Sequence, residues 1–158
     1  EHAELFAAIY GVADGARSIL QQARLVERAS TPVARLSGGE AARLFIATAT
    51  VHLPELLFLD EPTAHLDPAA KRDVGEHLRE LARDRAIVMT THDLREADGL
   101  CDALVFLVNG QLRASGPRDE LVAAVPADKR RGLGVEDAFF HFCDAHIEGG
   151  ELTGGTDR

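Results

Sequence analysis

Two acidic residues follow a short apolar run near the middle of the chain. Asp60 and Glu61 come directly after Leu56–Leu59, a continuous apolar segment that is typical of a strand covered on both faces of a parallel sheet. In such sheets, ligands bind beyond the carboxyl ends of the strands. One carboxylate suits Mg²⁺, and its neighbour, which points to the other side of an extended chain, can orient or deprotonate an attacking water. The competing interpretation is an acidic pair that caps a turn.

A histidine follows the next apolar segment in the same way. Ala86–Thr91 is predicted to be a second buried strand, and His92 comes directly after it. A single histidine is more often a hydrogen-bonded structural residue than a catalytic one. However, two buried strands that both end in polar groups indicate a shared site at one edge of the sheet.

A glycine pair lies upstream, in the sequence Leu36-Ser37-Gly38-Gly39-Glu40. Ser37 and Glu40 match a capping box, which alone predicts an ordinary helix start. Glycine in a first helical turn costs stability, but it leaves backbone N–H groups open at the positive end of the helix. That arrangement suits a terminal phosphate. Taken by itself, the segment favours the ordinary helix start.

The elements that must position these residues alternate between helix and strand, which predicts an α/β domain with a largely parallel sheet. Helices are expected within 3–29, with Leu5, Phe6, Ile9 and Tyr10 on one face. Further helices are expected at Gly38–His52, after the helix start Asp67-Pro68, and around Val135–His146. A hairpin is expected from Ala103–Val108 and Gln111–Ala114, joined by Asn109-Gly110.

Composition narrows the function classes. The net charge of −9 argues against a nucleic-acid surface, which needs clustered Lys and Arg. Cys101 and Cys143 are expected to be free thiols. No apolar run approaches the roughly 20 residues of a membrane span, and the first residues show no signal-peptide pattern. We therefore expect any work at a membrane to be done from the cytosolic side through a partner.

Taken together and in this order, the motifs resemble those of the ABC ATPases. Leu36–Glu40 is similar to the signature motif of the family, with Arg43 matching a basic residue that usually follows it. Leu56–Glu61 resembles Walker B, Ala64–Asp67 the D-loop, and His92 the switch histidine. The resemblance covers about residues 1–122. It implies a P-loop NTPase fold with a mostly parallel sheet flanked by helices.

The resemblance also implies roles. Asp60 would hold Mg²⁺ through water, Glu61 would be the general base, and His92 would contact the γ-phosphate of ATP. Ser37, Gly38, Gly39 and Glu40 would close over an ATP held by a second cassette in a head-to-tail dimer, with Asp67 at the same interface. Transmembrane permease subunits would be the other partners. The chain would then be the ATP-hydrolysing subunit of an exporter, peripheral on the inner face of the cell membrane, with water attacking the γ-phosphate.

The chain departs from the family at the phosphate-binding loop. The loop G-x-x-x-x-G-K-[ST] needs a lysine, and the two lysines, Lys71 and Lys129, follow Ala70 and Asp128. We therefore expect a C-terminal portion of a cassette that is inactive in isolation. Its predicted divisions are part of the helical subdomain (1–35), the C-terminal half of the ATPase core (36–122), a helical extension (123–148) and a disordered tail (149–158).

Alternatives remain open at this point. A truncated cassette could act as a regulatory binding module, and His65 resembles the corresponding position of soluble, ribosome-associated ABC ATPases. Val135–Phe140 resembles the C-terminal segment of multidrug- and lipid-type exporters. His141, Cys143 and His146 could bind a metal, but the surrounding phenylalanines favour a packed terminal helix.

Overall fold

The computed structural model describes residues 1–144, which fall into two compact units. The first is Glu1–His92, and the second begins at Asp93. The divisions expected after residues 35, 122 and 148 stay predictions. The predicted tail and the last residues of the predicted terminal helix lie outside the described residues.

The first unit contains four helices and a pair of strands, which confirms the predicted α/β class. Its elements are α1 (His2–Ile9), α2 (Gly15–Gln22), two 3-10 turns (Val26–Arg28 and Val33–Arg35), α3 (Gly38–Thr50), β1 (Leu56–Asp60), α4 (Pro68–Leu81) and β2 (Ala86–Thr90). The strands pair in parallel, from Leu56 opposite Ala86 to Asp60 opposite Thr90. Parallel pairing with a helix in the crossover is the arrangement expected of a βαβ unit.

Helices α1 to α3 share an apolar cluster centred on Ile19, Leu25 and Leu44. Of the four apolar residues expected on one face of α1, Phe6 alone packs against this cluster. Leu5, Ile9 and Tyr10 are exposed, whereas Ala3 and Ala7 are buried. The reason is a close approach between helices. A Cβ on Gly15 would lie only 2.8 Å from the Cβ of Ala7, so α1 turns its small residues, and not its large ones, towards α2.

Within the first unit as the structure describes it, each strand has one covered and one exposed face, in contrast to the prediction of strands buried on both faces. Leu57 is buried, whereas Leu56, Val88 and Phe58, the last of them 70% exposed, face solvent. The exposure alternates along each strand, as expected when one side of a strand pair packs against its own unit.

The second unit packs helices against an antiparallel hairpin. Its elements are α5 (Leu94–Leu100), β3 (Ala103–Val108), β4 (Gln111–Pro117), α6 (Arg118–Ala124), a 3-10 turn (Ala127–Lys129) and α7 (Val135–Asp144). Asn109 and Gly110 have φ of 52° and 73°, the left-handed pair that a two-residue I′ turn requires, so the predicted hairpin is confirmed. β4 runs three residues beyond its predicted end at Ala114. No helix among residues 1–144 is long and apolar enough to cross a bilayer.

We expect Ile19→Ala to lower the free energy of unfolding by about 2–5 kcal/mol, because the Ile19 side chain is 0% exposed and its truncation leaves a cavity. The matched control is Ile9→Ala in α1, where the side chain is 62% exposed and the change should stay within about 0.5 kcal/mol. Urea denaturation of the two variants measures the difference. Equal losses would contradict the packing described for α1.

Candidate functional site

The carboxyl ends of β1 and β2 bring Asp60 and Thr90 side by side. These residues are the last partners of the strand pair. The Thr90 hydroxyl donates to Oδ1 of Asp60 at 2.5 Å and accepts the backbone N–H of Glu61 at 3.0 Å. One hydroxyl therefore joins both acidic residues that the sequence singled out.

Glu61 leaves the strand in a left-handed turn. Its φ is 47°, a conformation that costs a non-glycine residue roughly 1–2 kcal/mol. The backbone oxygen of Thr90 shares the Glu61 N–H at 3.2 Å, and the Glu61 carbonyl accepts the N–H of Ala64 at 3.0 Å. The sequence predicts that Asp60 and Glu61 point to opposite sides because they are neighbours on an extended chain. That reason is wrong, because β1 ends at Asp60 and the left-handed turn sets the direction of the Glu61 side chain.

His92 contacts Glu61, as expected for a shared site. Nδ1 of His92 lies 2.8 Å from Oε1 of Glu61, so with the carboxylate ionised the ring N–H donates. The His92 side chain is 80% exposed, whereas that of Glu61 is about one-third exposed. The imidazole thus holds the carboxylate with one nitrogen and presents the rest of its ring to solvent.

The donor set at this edge fits Mg²⁺. Asp60 and Glu61 offer hard carboxylate oxygens, and Mg²⁺ binds to one or two carboxylates while keeping waters and phosphate oxygens as its other ligands. Within residues 1–144 no group of three or more His, Cys, Asp and Glu side chains is arranged for a metal. The alternative metal site of His141, Cys143 and His146 cannot be assembled from the described residues, since His146 lies outside them. Cys143 is buried in the apolar cluster of the second unit.

The capping box at the start of α3 is confirmed. Ser37 Oγ accepts the N–H of Glu40 at 3.3 Å, and Glu40 Oε2 accepts the N–H of Ser37 at 2.8 Å. The backbone bond from Ser37, helped by the Arg28 guanidinium 3.3 Å away, lowers the pKa of Glu40 below its ordinary value. Glu40 is therefore engaged within its own chain, as a cap.

The two glycines allow a close approach between α3 and the start of α4. A Cβ on Gly38 would lie 2.8 Å from Cδ2 of Leu66, and one on Gly39 would lie 3.0 Å from Cβ of Ala70. Packing is thus one reason for glycine at both positions. It is compatible with an anion site, because the first N–H groups of a helix have no intrahelical partner.

The segment between β1 and α4 completes this region. Asp67 caps α4, accepting the N–H groups of Ala69 and Ala70 at 2.9 and 3.0 Å, and Pro68 occupies the first turn as predicted. A cleft of about 410 Å³ is lined by residues of α3 and of this segment, among them Gly38, Phe45, Asp60 and His65. The structure therefore brings Asp60, Glu61 and His92 into one contact network, and it places Asp60 and the first residue of α3 on one cleft.

Thr90 is the site residue that reasoning from the sequence missed. Its type is unremarkable, since threonine is common in strands. The available signal was positional: two parallel strands that end together place Thr90 opposite Asp60. That signal depends on the register, which the sequence does not specify by itself.

Comparisons with known proteins find similarity to ATP-binding proteins. The family described as "AAA domain, putative AbiEii toxin, Type IV TA system" matches residues 25–98. The chain is 47% identical over 106 residues to "Nod factor export ATP-binding protein I" of Rhizobium johnstonii, covering 66% of this chain and 34% of the relative. The protein of that name from Ralstonia nicotianae is 43% identical over 105 residues, covering 66% and 33%. The chain thus spans about a third of the length of these relatives.

Solved structures give the same result. "Structure of ATP binding subunit of ABC transporter" matches with a TM-score of 0.69 and 30% identity, covering 89% of this chain and 60% of that one. A nucleotide-free ATP-binding cassette from an ABC transporter matches with a TM-score of 0.59 and 27% identity, covering 63% and 40%.

The glycine packing predicts different costs at neighbouring positions. Gly39→Ala should lower the free energy of unfolding by about 1–3 kcal/mol, the usual cost of overpacking, because the Ala70 Cβ is fixed to the backbone of α4. Gly38→Ala should cost less, since the obstructing atom is the end of the Leu66 side chain, which can rotate. Thermal unfolding of both variants checks this order, and a larger loss for Gly38→Ala would contradict it.

Proposed function

We propose that this chain, a member of the ABC-type ATP-binding cassettes, supplies three parts of an exporter ATPase. They are the carboxylate that would hold Mg²⁺, the general base, and the helix α3, which begins within the signature motif. The observation that carries the proposal is the network at the ends of β1 and β2. Asp60 and Glu61 are joined through Thr90, and His92 contacts Glu61. A metal-binding carboxylate next to a second carboxylate held by an imidazole suits the activation of water.

Each side chain has a distinct task in this proposal. Asp60 would hold Mg²⁺ through water, and Mg-ATP would supply the γ-phosphoryl group, which passes to the attacking water as ADP leaves. Glu61 orients the attacking water and accepts its proton on the carboxylate. His92 keeps Oε1 of Glu61 in place through the 2.8 Å contact, and its exposed ring would contact the γ-phosphate of a bound ATP. Positioning and charge stabilisation account for most of the catalysis in such reactions.

We further propose that the start of α3 acts on the nucleotide of a second cassette. The N-terminus of this 13-residue helix directs backbone N–H groups and a partial positive charge outwards. Ser37 and Glu40 would fix the helix end through the capping box, and Asp67 would lie at the same interface. Gly38 and Gly39 would supply backbone N–H groups, Gly38 from an exposed position and Gly39 from a buried one. The partner would be a second copy or a related cassette in head-to-tail orientation.

Coupling to export is inferred from the relatives. The curated proteins are named for export of Nod factor, and from them we carry over only the coupling of ATP hydrolysis to export and association with transmembrane permease subunits. The chain would then act at the inner face of the cell membrane, bound through the permease. The net charge of −9 argues against nucleic acid as a partner.

The residues present do not hold the β- and γ-phosphates in the manner of a lysine loop. Lys71 lies in the first turns of α4 and Lys129 in a 3-10 turn of the second unit. We therefore expect calorimetric titration of this chain with Mg-ATP to show no binding in the micromolar range. Micromolar binding would mean that other groups hold the phosphates, and it would overturn the proposed division of labour.

In a cassette completed to the length of the relatives, we expect Glu61→Gln to lower kcat by about 10²–10⁴-fold, the usual contribution of a general base. The substitution keeps the shape of the side chain and removes its ability to accept a proton. Glu76→Gln is the matched control, because Glu76 is exposed on α4, and its turnover should be unchanged. Phosphate release measures both. Full turnover in Glu61→Gln would exclude Glu61 as the base.

A further inference from the structure

We propose that Thr90 is a positioning residue of this hydrolytic site, whose single hydroxyl sets both the metal-binding carboxylate and the turn that carries the base. The inference rests on the proposed function. Its structural basis is the pair of bonds made by Thr90 Oγ1, to Oδ1 of Asp60 and from the N–H of Glu61.

The direction of both bonds is determined by chemistry. A threonine hydroxyl has one O–H donor and two acceptor lone pairs. The Glu61 N–H can only donate, so it takes a lone pair, and an ionised Asp60 can only accept, so it takes the proton. A separation of 2.5 Å falls in the range of charge-assisted O–H···O⁻ bonds. The hydroxyl thus has a fixed orientation, and each partner fixes the other.

For Asp60, the bond orients the carboxylate. Oδ1 accepts the Thr90 hydroxyl, and both lone pairs of Oδ2 stay open for Mg²⁺ or for its bound water. A carboxylate with one oxygen anchored loses most of its rotational freedom before the metal arrives. Partners that orient a metal ligand in this way typically contribute about 10–100-fold to metal affinity.

For Glu61, the same hydroxyl holds a strained backbone. The φ of 47° is disfavoured for a residue with a Cβ, and the Glu61 N–H is held by two acceptors of Thr90, the hydroxyl at 3.0 Å and the backbone oxygen at 3.2 Å. Removing the hydroxyl leaves the weaker of the two contacts. The turn would then relax, and the carboxylate would lose the placement from which it contacts His92.

Two substitutions of Thr90 separate the hydroxyl from the shape of the side chain. Thr90→Val keeps the branched side chain and removes the hydroxyl, whereas Thr90→Ser keeps the hydroxyl. Circular dichroism of both variants verifies that each is folded. The inference predicts that the serine variant behaves like the original chain in every assay below.

The first test uses this chain and Mn²⁺ as the probe, with free Mn²⁺ measured by electron paramagnetic resonance. Thr90→Val should weaken binding about tenfold, and Thr90→Ser should stay within about twofold. Asp60→Asn tests the proposed function separately. If Asp60→Asn binds Mn²⁺ as the original chain does, the metal role of Asp60 fails, and the exchange measurement that follows decides on Thr90 alone.

The second test is hydrogen exchange of the Glu61 amide, which needs neither metal nor nucleotide. Exchange should be about tenfold faster in Thr90→Val and unchanged in Thr90→Ser, because one of the two acceptors is lost. Unchanged protection in Thr90→Val would overturn the inference whatever the metal measurement shows.

In the completed cassette, the positioning role predicts a split between kinetic parameters. Thr90→Val should lower kcat about tenfold while KM for ATP stays within about twofold, and Thr90→Ser should restore kcat. A residue needed only for folding would lower the amount of active protein and leave kcat per active site unchanged. A Thr90→Val enzyme with the original kcat would overturn the proposal.

Discussion

The register between β1 and β2 is the constraint on which the candidate site depends. Asp60 pairs with Thr90 only because Leu56 pairs with Ala86 four residues earlier. A shift of one residue would turn every side chain of one strand to the opposite face and would separate the hydroxyl from the carboxylate. The sheet therefore does more than carry two acidic residues to its edge, since it also supplies the group that fixes them.

A second constraint holds α3 against α4. Gly39 lies close to Ala70, where an added Cβ would come within 3.0 Å of the Ala70 Cβ. Arg43 reaches from α3 to Asp73 on α4 and also donates to the carbonyl of Ala23 at 3.0 Å. The Arg43 side chain is only 11% exposed. Arg24, in contrast, contacts Asp73 and Glu80 from a half-exposed position, where ion pairs contribute little. The largely buried Arg43 and the contact of Gly39 with Ala70 thus hold the start of α3 next to α4 and the segment that leads from Asp60 into it.

Much of this arrangement could be predicted from local chemistry. Ser37 with Glu40, Asp67 before Pro68, and Asn109 before Gly110 are signals in which a side chain or a backbone preference acts on residues only a few positions away. The same is true of the carboxylates after an apolar strand. Each of these predictions is confirmed as a structural element, whereas the chemical roles of the residues remain proposals.

What could not be predicted depends on distant partners. The buried face of α1 follows from the fit of Ala7 against Gly15, and hydrophobicity alone would select the larger residues. The apolar run of β1 predicted that both faces of the strand are covered, but an apolar composition permits such burial and does not require it. Phe58 shows that the described unit covers one side. Long-range packing, and not local preference, decides both cases.

The strained backbone of Glu61 is held by hydrogen bonds to Thr90, a residue that is distant in the sequence. A left-handed glutamate costs roughly 1–2 kcal/mol, and a single hydrogen bond returns only about 1 kcal/mol net. The turn therefore needs several bonds together, and it has the two acceptors of Thr90 and the Ala64 N–H. A backbone held at several points moves little. The catalytic role proposed for Glu61 requires this, because a displacement of about 1 Å can cost about 10²-fold in rate. The bonds that stabilise the strained turn are thus the same bonds that keep its carboxylate in register with Asp60 and His92.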